Sequence, residues 1–307
     1  MRILITGLTG FIGGQLAPKL LDRGHELVAL VRDPSRVPAH LTGQIELVTG
    51  DALDPDLGVL NRAMQGCDAF VWLLHSMEPD AAGIDFRALE LLSIDNAISA
   101  AQAAGVARGV YLGGMAPAEP PSPHLGSRLA VETRLLDALP ESTALRASIV
   151  IGAHSRSFRF LVRLVERMPA LPLPAWRDNR TQPADQRDII EALVRSVEGN
   201  ARGQSLDIAC PEVVTYRALI ELIADRMLIP RPTVGLPFSL TAIAGPVAAA
   251  VAGEHRELIG PLMGSLGVDL LPRADGLAAL GIRAHSLESS VDRALGDWEA
   301  EEELAGR

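Results

Sequence analysis

Met1-Arg-Ile-Leu-Ile-Thr-Gly-Leu-Thr-Gly-Phe-Ile-Gly-Gly14 opens the chain, and its reading decides the fold. Arg2 to Thr6 is a short apolar run rich in β-branched residues, which predicts a buried strand. Gly7, Gly10 and Gly13 follow at the spacing G-x-x-G-x-x-G. A segment of helical period then runs from Phe11 to Arg23 and closes at Gly24. Strand, glycine turn and helix form half of a mononucleotide-binding unit. The first glycine lets the chain turn, the second admits a pyrophosphate close to the backbone, and the third lets the helix pack on the strand. The helix N-terminus then faces the phosphates with free N–H groups and its positive dipole end. Thr6, Gly7, Thr9, Gly10, Phe11, Ile12 and Gly13 are therefore the expected cradle.

Working outward, Glu26 to Val31 is a second strand that ends at Arg32-Asp33-Pro34. A carboxylate after this strand would take the adenosine ribose 2′-hydroxyl, whereas an arginine accommodates a 2′-phosphate. Arg32, assisted by Arg36, points to NADP ahead of NAD. Ile45 to Val48 is a third strand. Asp51 and Ala52 follow it, with Asp51 placed to accept from an adenine amino group. The link Asp33–Gln44 is too short for a regular helix and its turns, so a degenerate crossover is expected. Ala69 to Leu74 is a fourth strand leading to His75 and Met77, which puts Leu74 and His75 on the cofactor edge. Asp85 to Ala104 has helical spacing and Gly105 closes it. Val110 to Leu112 is a fifth strand ending at Gly113-Gly114-Met115, His124 to Leu139 a helix, and Thr143 to Val150 a sixth strand. This alternation predicts an α/β protein: a Rossmann doubly wound parallel sheet, with its ligand at the carboxyl ends of the strands.

After Gly152 the alternation stops. A basic amphipathic helix (Phe158–Arg167), a proline-rich loop (Met168–Pro183) with Trp176, Arg177 and Arg180, a helix (Asp188–Glu198), a strand (Ser205–Ile208) and a helix (Thr215–Met227) follow. These pieces are too few for a large independent core. The expected organisation is a Rossmann domain over 1–151 and a smaller C-terminal α/β substrate or lid lobe over 152–307, laid over the sheet edge and packed discontinuously on the first domain. Gly235 to Gly253 carries no charge and is close to the roughly 20 residues of a membrane span. Pro237, Gly245-Pro246 and the alanine run suit a buried helix pair better, and contact with a membrane surface stays open.

Composition narrows the classes further. The formal charge is −10 with no basic cluster, which argues against a nucleic-acid partner. Two isolated cysteines, Cys67 and Cys210, make neither a disulfide framework nor a zinc site, so no metal is expected. A strand starting at Arg2 leaves no room for a signal peptide, and a reducing cytoplasm is expected. A monomer and a homodimer fit equally.

Several of these stretches resemble one superfamily. Thr6 to Gly13, Arg32-Asp33, Gly50-Asp51, Tyr111-Leu-Gly-Gly114, Leu145-Arg146, Gln182 to Asp188 and Cys210 to Tyr216 are similar to the atypical and extended short-chain dehydrogenases/reductases. The likeness is strongest to bacterial NAD(P)-binding proteins of the atypical branch, a branch similar to NmrA-like proteins and to the reductase-like accessory subunit of respiratory complex I. His75-Ser-Met77 and Trp176 to Pro183 fit that branch, and the resemblance covers about residues 1 to 270. It implies fold and cofactor, and leaves the substrate open.

One departure is decisive. Extended members carry Tyr-x-x-Ser-Lys-x-x-x-Glu on the helix after the fifth strand, with a serine at that strand's end. This chain reads His124-Leu-Gly-Ser127-Arg128-Leu-Ala-Val-Glu132, and the serine position is Gly113 or Gly114. Lys19 is the sole lysine, and Tyr111 and Tyr216 are the sole tyrosines. No tyrosine–lysine pair can be assembled, which rules out the classical reductase mechanism.

His124 can still exchange a proton near neutral pH, and Arg128, one helical turn on, shares its face. By the resemblance Arg128 would hold the nicotinamide ribose. His124 equally suits a helix start after Pro123, and His75 a packed loop residue or a second catalytic group. Met77, Gly114, Met115, Trp176 and Arg180 are the candidate substrate contacts, with an ordinary surface loop the competing reading for Trp176 and Arg180. Two function classes follow: an NADP-dependent oxidoreductase or isomerase acting on a small, mainly apolar molecule, and a non-catalytic NADP(H)-binding sensor, regulator or assembly factor.

Overall fold

Strand β1 (Arg2–Thr6) lies inside a seven-stranded parallel sheet in the computed structural model, which describes residues 1–75, 85–235, 266–302 and 304. On one side follow β2 (Glu26–Val31) and β3 (Glu46–Thr49). On the other follow β4 (Ala69–Trp72), β5 (Gly109–Gly114), β6 (Thr143–Ala147) and the strand Ser205–Asp207. This is the expected Rossmann order. The strands read as nearly unbroken apolar runs because helices cover both faces. Thr6 is the polar exception and is fully buried. Its hydroxyl donates to the Val71 carbonyl at 3.1 Å and accepts from the Leu73 N–H at 3.0 Å, tying the end of β1 to β4.

Helix α1 (Phe11–Asp22) packs beside α6 (Gln186–Val197) on one face, where Leu16 and Leu20 join Ala192, Leu193 and Val197 in one core. The other face carries α2 (Gly58–Met64), α3 (Phe86–Ala104) and α4 (Pro123–Ala138) over Phe70, Trp72 and Tyr111. Asp85 and Gly105 bound α3, the latter in the left-handed region at φ 74°. Helices α5 (Arg156–Arg167), α7 (Tyr216–Arg226) and Leu287–Glu299 build a separate core of Phe158, Leu161, Leu219, Val291 and Trp298.

Three expectations change. The strand at Ser205 does not sit in the later lobe. It pairs with β6, Leu206 opposite Leu145, and completes the main sheet. Beside it Arg146 binds Glu132 of α4 through Nε at 2.9 Å and faces Asp207 at 3.6 Å, while Ser205 donates to Glu132 at 2.6 Å. A strand of three residues carries no periodicity, so this pairing is visible only in space. The sixth strand breaks after Ala147 and resumes as Val150–Ile151, paired with Ala184–Asp185. Helix α2 was not expected, since seven residues starting at a glycine give too short a pattern to read. The degenerate crossover after β2 is present as two 3₁₀ turns, Pro34–Arg36 and Ala39–Leu41. Of the apolar stretch Gly235–Gly253, all but Gly235 lies outside the described residues. Among the described residues no helix is long and apolar enough to cross a membrane.

Helix α1 approaches the turn after β1 without a side chain between them. A Cβ on Gly13 would stand 2.2 Å from the Gly7 carbonyl oxygen and 2.9 Å from Leu8 Cα. Both are backbone atoms that cannot step aside. Gly13→Ala is therefore expected to cost about 1–3 kcal/mol of stability, the range for a methyl group forced into a packed site. Urea unfolding checks this, and an unchanged midpoint would mean that α1 shifts freely.

Candidate functional site

The carboxyl end of β1 turns at Gly7, which has φ 70°. Gly10 N–H bonds back to the Gly7 carbonyl at 2.9 Å and starts α1 without a side-chain cap or an acid in the first turn. The first-turn N–H groups and the positive dipole end are thus left for an anion. Thr9 and Gly10 are exposed, Phe11 and Ile12 half-buried, and Gly13 buried. Thr6 is committed to the backbone of β4, as described.

Around this turn the structure gathers the other expected cofactor residues from neighbouring strand ends. Arg32 follows β2, is exposed and makes no ion pair with the described residues. Arg36 is exposed at the end of the 3₁₀ turn that follows, near Asp33. Asp51 uses one carboxylate oxygen to accept from Leu53 N–H at 3.0 Å. Ala52 is buried, and its carbonyl accepts from Asn96 of α3 at 2.9 Å. Leu74 is half-buried against the α3-side core. His75 is exposed and meets Tyr111 edge-on at 6.1 Å.

A cavity of about 180 Å³ opens beside the ends of β4, β5 and β6, with His75, Gly114, His124 and Arg128 in its wall. Ser122 caps α4 by accepting from Leu125 N–H at 3.3 Å, and Pro123 takes the first helical position. A Cβ on Gly114 would lie 2.8 Å from Leu125 Cδ2, so the absence of a side chain there lets α4 lie against β5. His124 and Arg128 reach the cavity from this helix. Burial lowers the His124 pKa below its usual 6.5, and its Nδ1 is buried without a hydrogen-bond partner among the described residues. Arg128 is 4% exposed, and burial brings its pKa down to about 9. Its Nη1 stands 3.5 Å from Glu90 Oε1, and Ser127 donates to the same carboxylate. A neutral imidazole beside a buried, paired guanidinium can give or take a proton and hold a ligand oxygen.

The remaining candidates are elsewhere. Met115 is fully buried with Leu125 and Leu270 beside the cavity. Trp176 packs in the lobe core, edge-on to Tyr216 at 6.0 Å. Arg180 binds Asp269 on the surface through Nε at 2.9 Å and Nη2 at 2.8 Å. Met77 lies outside the described residues. The structure also adds groups to the site. Glu90 falls on the buried stripe of α3 with Ile94 and Ala97, and a lone acid in an apolar stripe is a signal the sequence carried. Ser148 and Tyr216 line the cavity from segments that only folding brings there. Among the described residues no cluster of three or more His, Cys, Asp or Glu is placed to hold a metal.

A parallel sheet with a glycine turn at its central strand and a cleft at the carboxyl ends defines a dinucleotide-binding protein. The family description "NAD(P)H-binding" matches residues 7–148. Over 250 residues the chain is 26% identical to the mitochondrial NADH dehydrogenase [ubiquinone] 1 alpha subcomplex subunit 9 of Arabidopsis thaliana, covering 79% of this chain and 62% of the relative. Over 117 residues it is 36% identical to a 3 beta-hydroxysteroid dehydrogenase/Delta 5-->4-isomerase of Mycobacterium tuberculosis, covering 36% of this chain and 30% of the relative. The chain thus spans less than two thirds of the length of either. The crystal structure of UDP-glucose 4-epimerase from Thermotoga maritima shares the fold, with TM-score 0.73, 16% identity, and 98% and 99% of the two chains covered. Over residues 7–148 the chain is thus similar to NAD(P)H-binding domains, and the epimerase structure shows the shared fold alone.

The His124 environment gives a pH expectation. With the folded pKa depressed, the unfolded chain binds a proton below pH 6.5 that the folded chain refuses. Stability therefore falls as pH drops below 6.5 and levels off once the folded value is passed. His124→Gln should lose less stability than the parent between pH 7.5 and 5 in urea titrations. Equal losses would place the ring in water.

Proposed function

We propose that the protein is an NADP(H)-dependent oxidoreductase or isomerase acting on a small, mainly apolar substrate, with His124 as its acid–base group. The observation that carries this reading is the His124 Nδ1 atom, buried and unpartnered among the described residues on the cavity wall, one helical turn before Arg128. The fit of the cofactor is supported by the glycine cradle, where a Cβ at Gly13 would collide with backbone, and by the uncapped start of α1.

When bound, the cofactor supplies or accepts a hydride. The chain does the rest. The α1 N-terminus holds the pyrophosphate, and Arg32 with Arg36 meets the 2′-phosphate. Asp51 and Ala52 sit at the adenine side, while Leu74 and His75 border the nicotinamide side. Arg128, held beside Glu90, offers N–H donors to the nicotinamide ribose. His124 is neutral at pH 7 and moves the proton at the substrate oxygen.

Arg32→Ala should weaken NADP(H) binding by about 1.5–3 kcal/mol, the worth of a charge-assisted contact, and leave NAD(H) binding unchanged. Calorimetric titration of both cofactors tests this. Equal affinities in the parent would end the NADP preference.

His124→Ala should lower turnover by about 10²–10⁴-fold with cofactor affinity preserved. Full turnover in that variant would move the proton to another group, with His75 next. A second reading, a non-catalytic NADP(H)-binding sensor, regulator or assembly factor, is supported by the Arg128–Glu90–Ser127 cluster, in which the guanidinium is already paired to a carboxylate of the fold. The plant relative is named as a subunit. Cofactor binding without turnover of any carbonyl compound would select this second reading.

A further inference from the structure

The cavity has polar groups from the lobe that the reading above does not use. Tyr216, the first residue of α7, is fully buried and contributes to the wall. Its hydroxyl finds no well-aligned hydrogen-bond partner among the described residues, although the Thr181 hydroxyl lies close enough to lower its pKa. Thr181 lies beside it, but the Thr181 hydroxyl donates to Ser148 Oγ at 3.2 Å, and Ser148 donates to the Gln182 carbonyl at 2.7 Å. Burial, opposed in part by the Thr181 hydroxyl, pushes the Tyr216 phenol up to about 12, so it keeps its proton through the neutral range and can donate it. Ile149, Phe160, Leu161, Leu266 and Leu270 supply apolar wall around the cavity.

Building on the reading of this cavity as the substrate site, we infer that it takes a neutral carbonyl compound with an apolar body, whose oxygen accepts a hydrogen bond from Tyr216. A buried donor without an acceptor is costly, and a ligand oxygen removes that cost. A hydrocarbon would leave the donor unpaired. An anion would have to bury a charge beside Arg128, which Glu90 already neutralises at 3.5 Å, and an uncompensated buried charge is strongly disfavoured. The volume of about 180 Å³ is close to the roughly 150 Å³ cavity that holds one benzene. The ligand is therefore of one-ring size.

The test uses the full chain loaded with oxidised NADP, with acetophenone, ethylbenzene and benzoate as probes, read by calorimetry or ligand-observed NMR. Acetophenone should bind at least about ten-fold more tightly than ethylbenzene, the effect of one hydrogen bond to an otherwise unpaired donor. Tyr216→Phe should bring that ratio close to one. Without a probe, the variant should melt at the parent temperature or above it, because an unpaired buried hydroxyl has been removed. Equal binding of the two probes, a ratio that survives in Tyr216→Phe, or benzoate as the tightest ligand would overturn the inference. So would a variant that melts well below the parent, since the hydroxyl would then be bonded within the fold. Oxidised cofactor has no hydride to give to a ketone, so these outcomes do not depend on turnover. Failure to reduce acetophenone with NADPH would count against the catalytic reading alone.

Discussion

Helix α1 meets the turn after β1 at Gly13, where a single added carbon would overlap the Gly7 carbonyl. This contact sets the height of α1 over the sheet and aims its uncapped N-terminus at the carboxyl ends of the strands. Helix α6 then lies along α1, and the chain beyond residue 152 is drawn back onto the first unit. The anion cradle and the attachment of the later segments thus share one steric cause, the closeness that glycine permits between helix and strand.

The other side of the site depends on buried charge. Helix α4 carries His124 and Arg128, and two ion pairs hold it. Toward the sheet, Glu132 receives Arg146 and Ser205, with Asp207 beyond. Toward α3, Arg128 faces Glu90. Buried ions persist only when paired and hydrogen-bonded, and removing one partner leaves a costly uncompensated charge. These pairs therefore locate α4 more than they stabilise the molecule. They also account for the state of the site: with Glu90 beneath it, Arg128 adds little net charge to the cavity, and burial alone is enough to keep His124 neutral.

In the proposed site an imidazole and a guanidinium stand where the resembling superfamily carries a tyrosine and a lysine. A lysine could lower a tyrosine pKa through its compact charge. A guanidinium paired to a carboxylate would do this poorly. An imidazole needs no such help, because its own pKa lies near neutrality.

Much of the first half was legible in the primary structure. Apolar runs of strand length and a glycine triplet directly after the first of them announce the sheet and the tight turn from β1 into α1, because each is a local pattern of period and turn chemistry. The bounds of β2 match residue for residue, and α3 stops at Gly105, where a left-handed backbone is required. What could not be read is set by distance along the chain. Ser205–Asp207 joins β6 across about sixty residues, and three residues have no period to read. Trp176, a candidate lid residue, packs into the lobe core, and Arg180 is taken up by Asp269, a partner far along the chain. Tyr216 reaches a cavity whose other wall is built by α4. Sequence determined the elements and their local chemistry. Tertiary packing decided which of those side chains share a cavity, because burial and pairing depend on neighbours that only folding supplies.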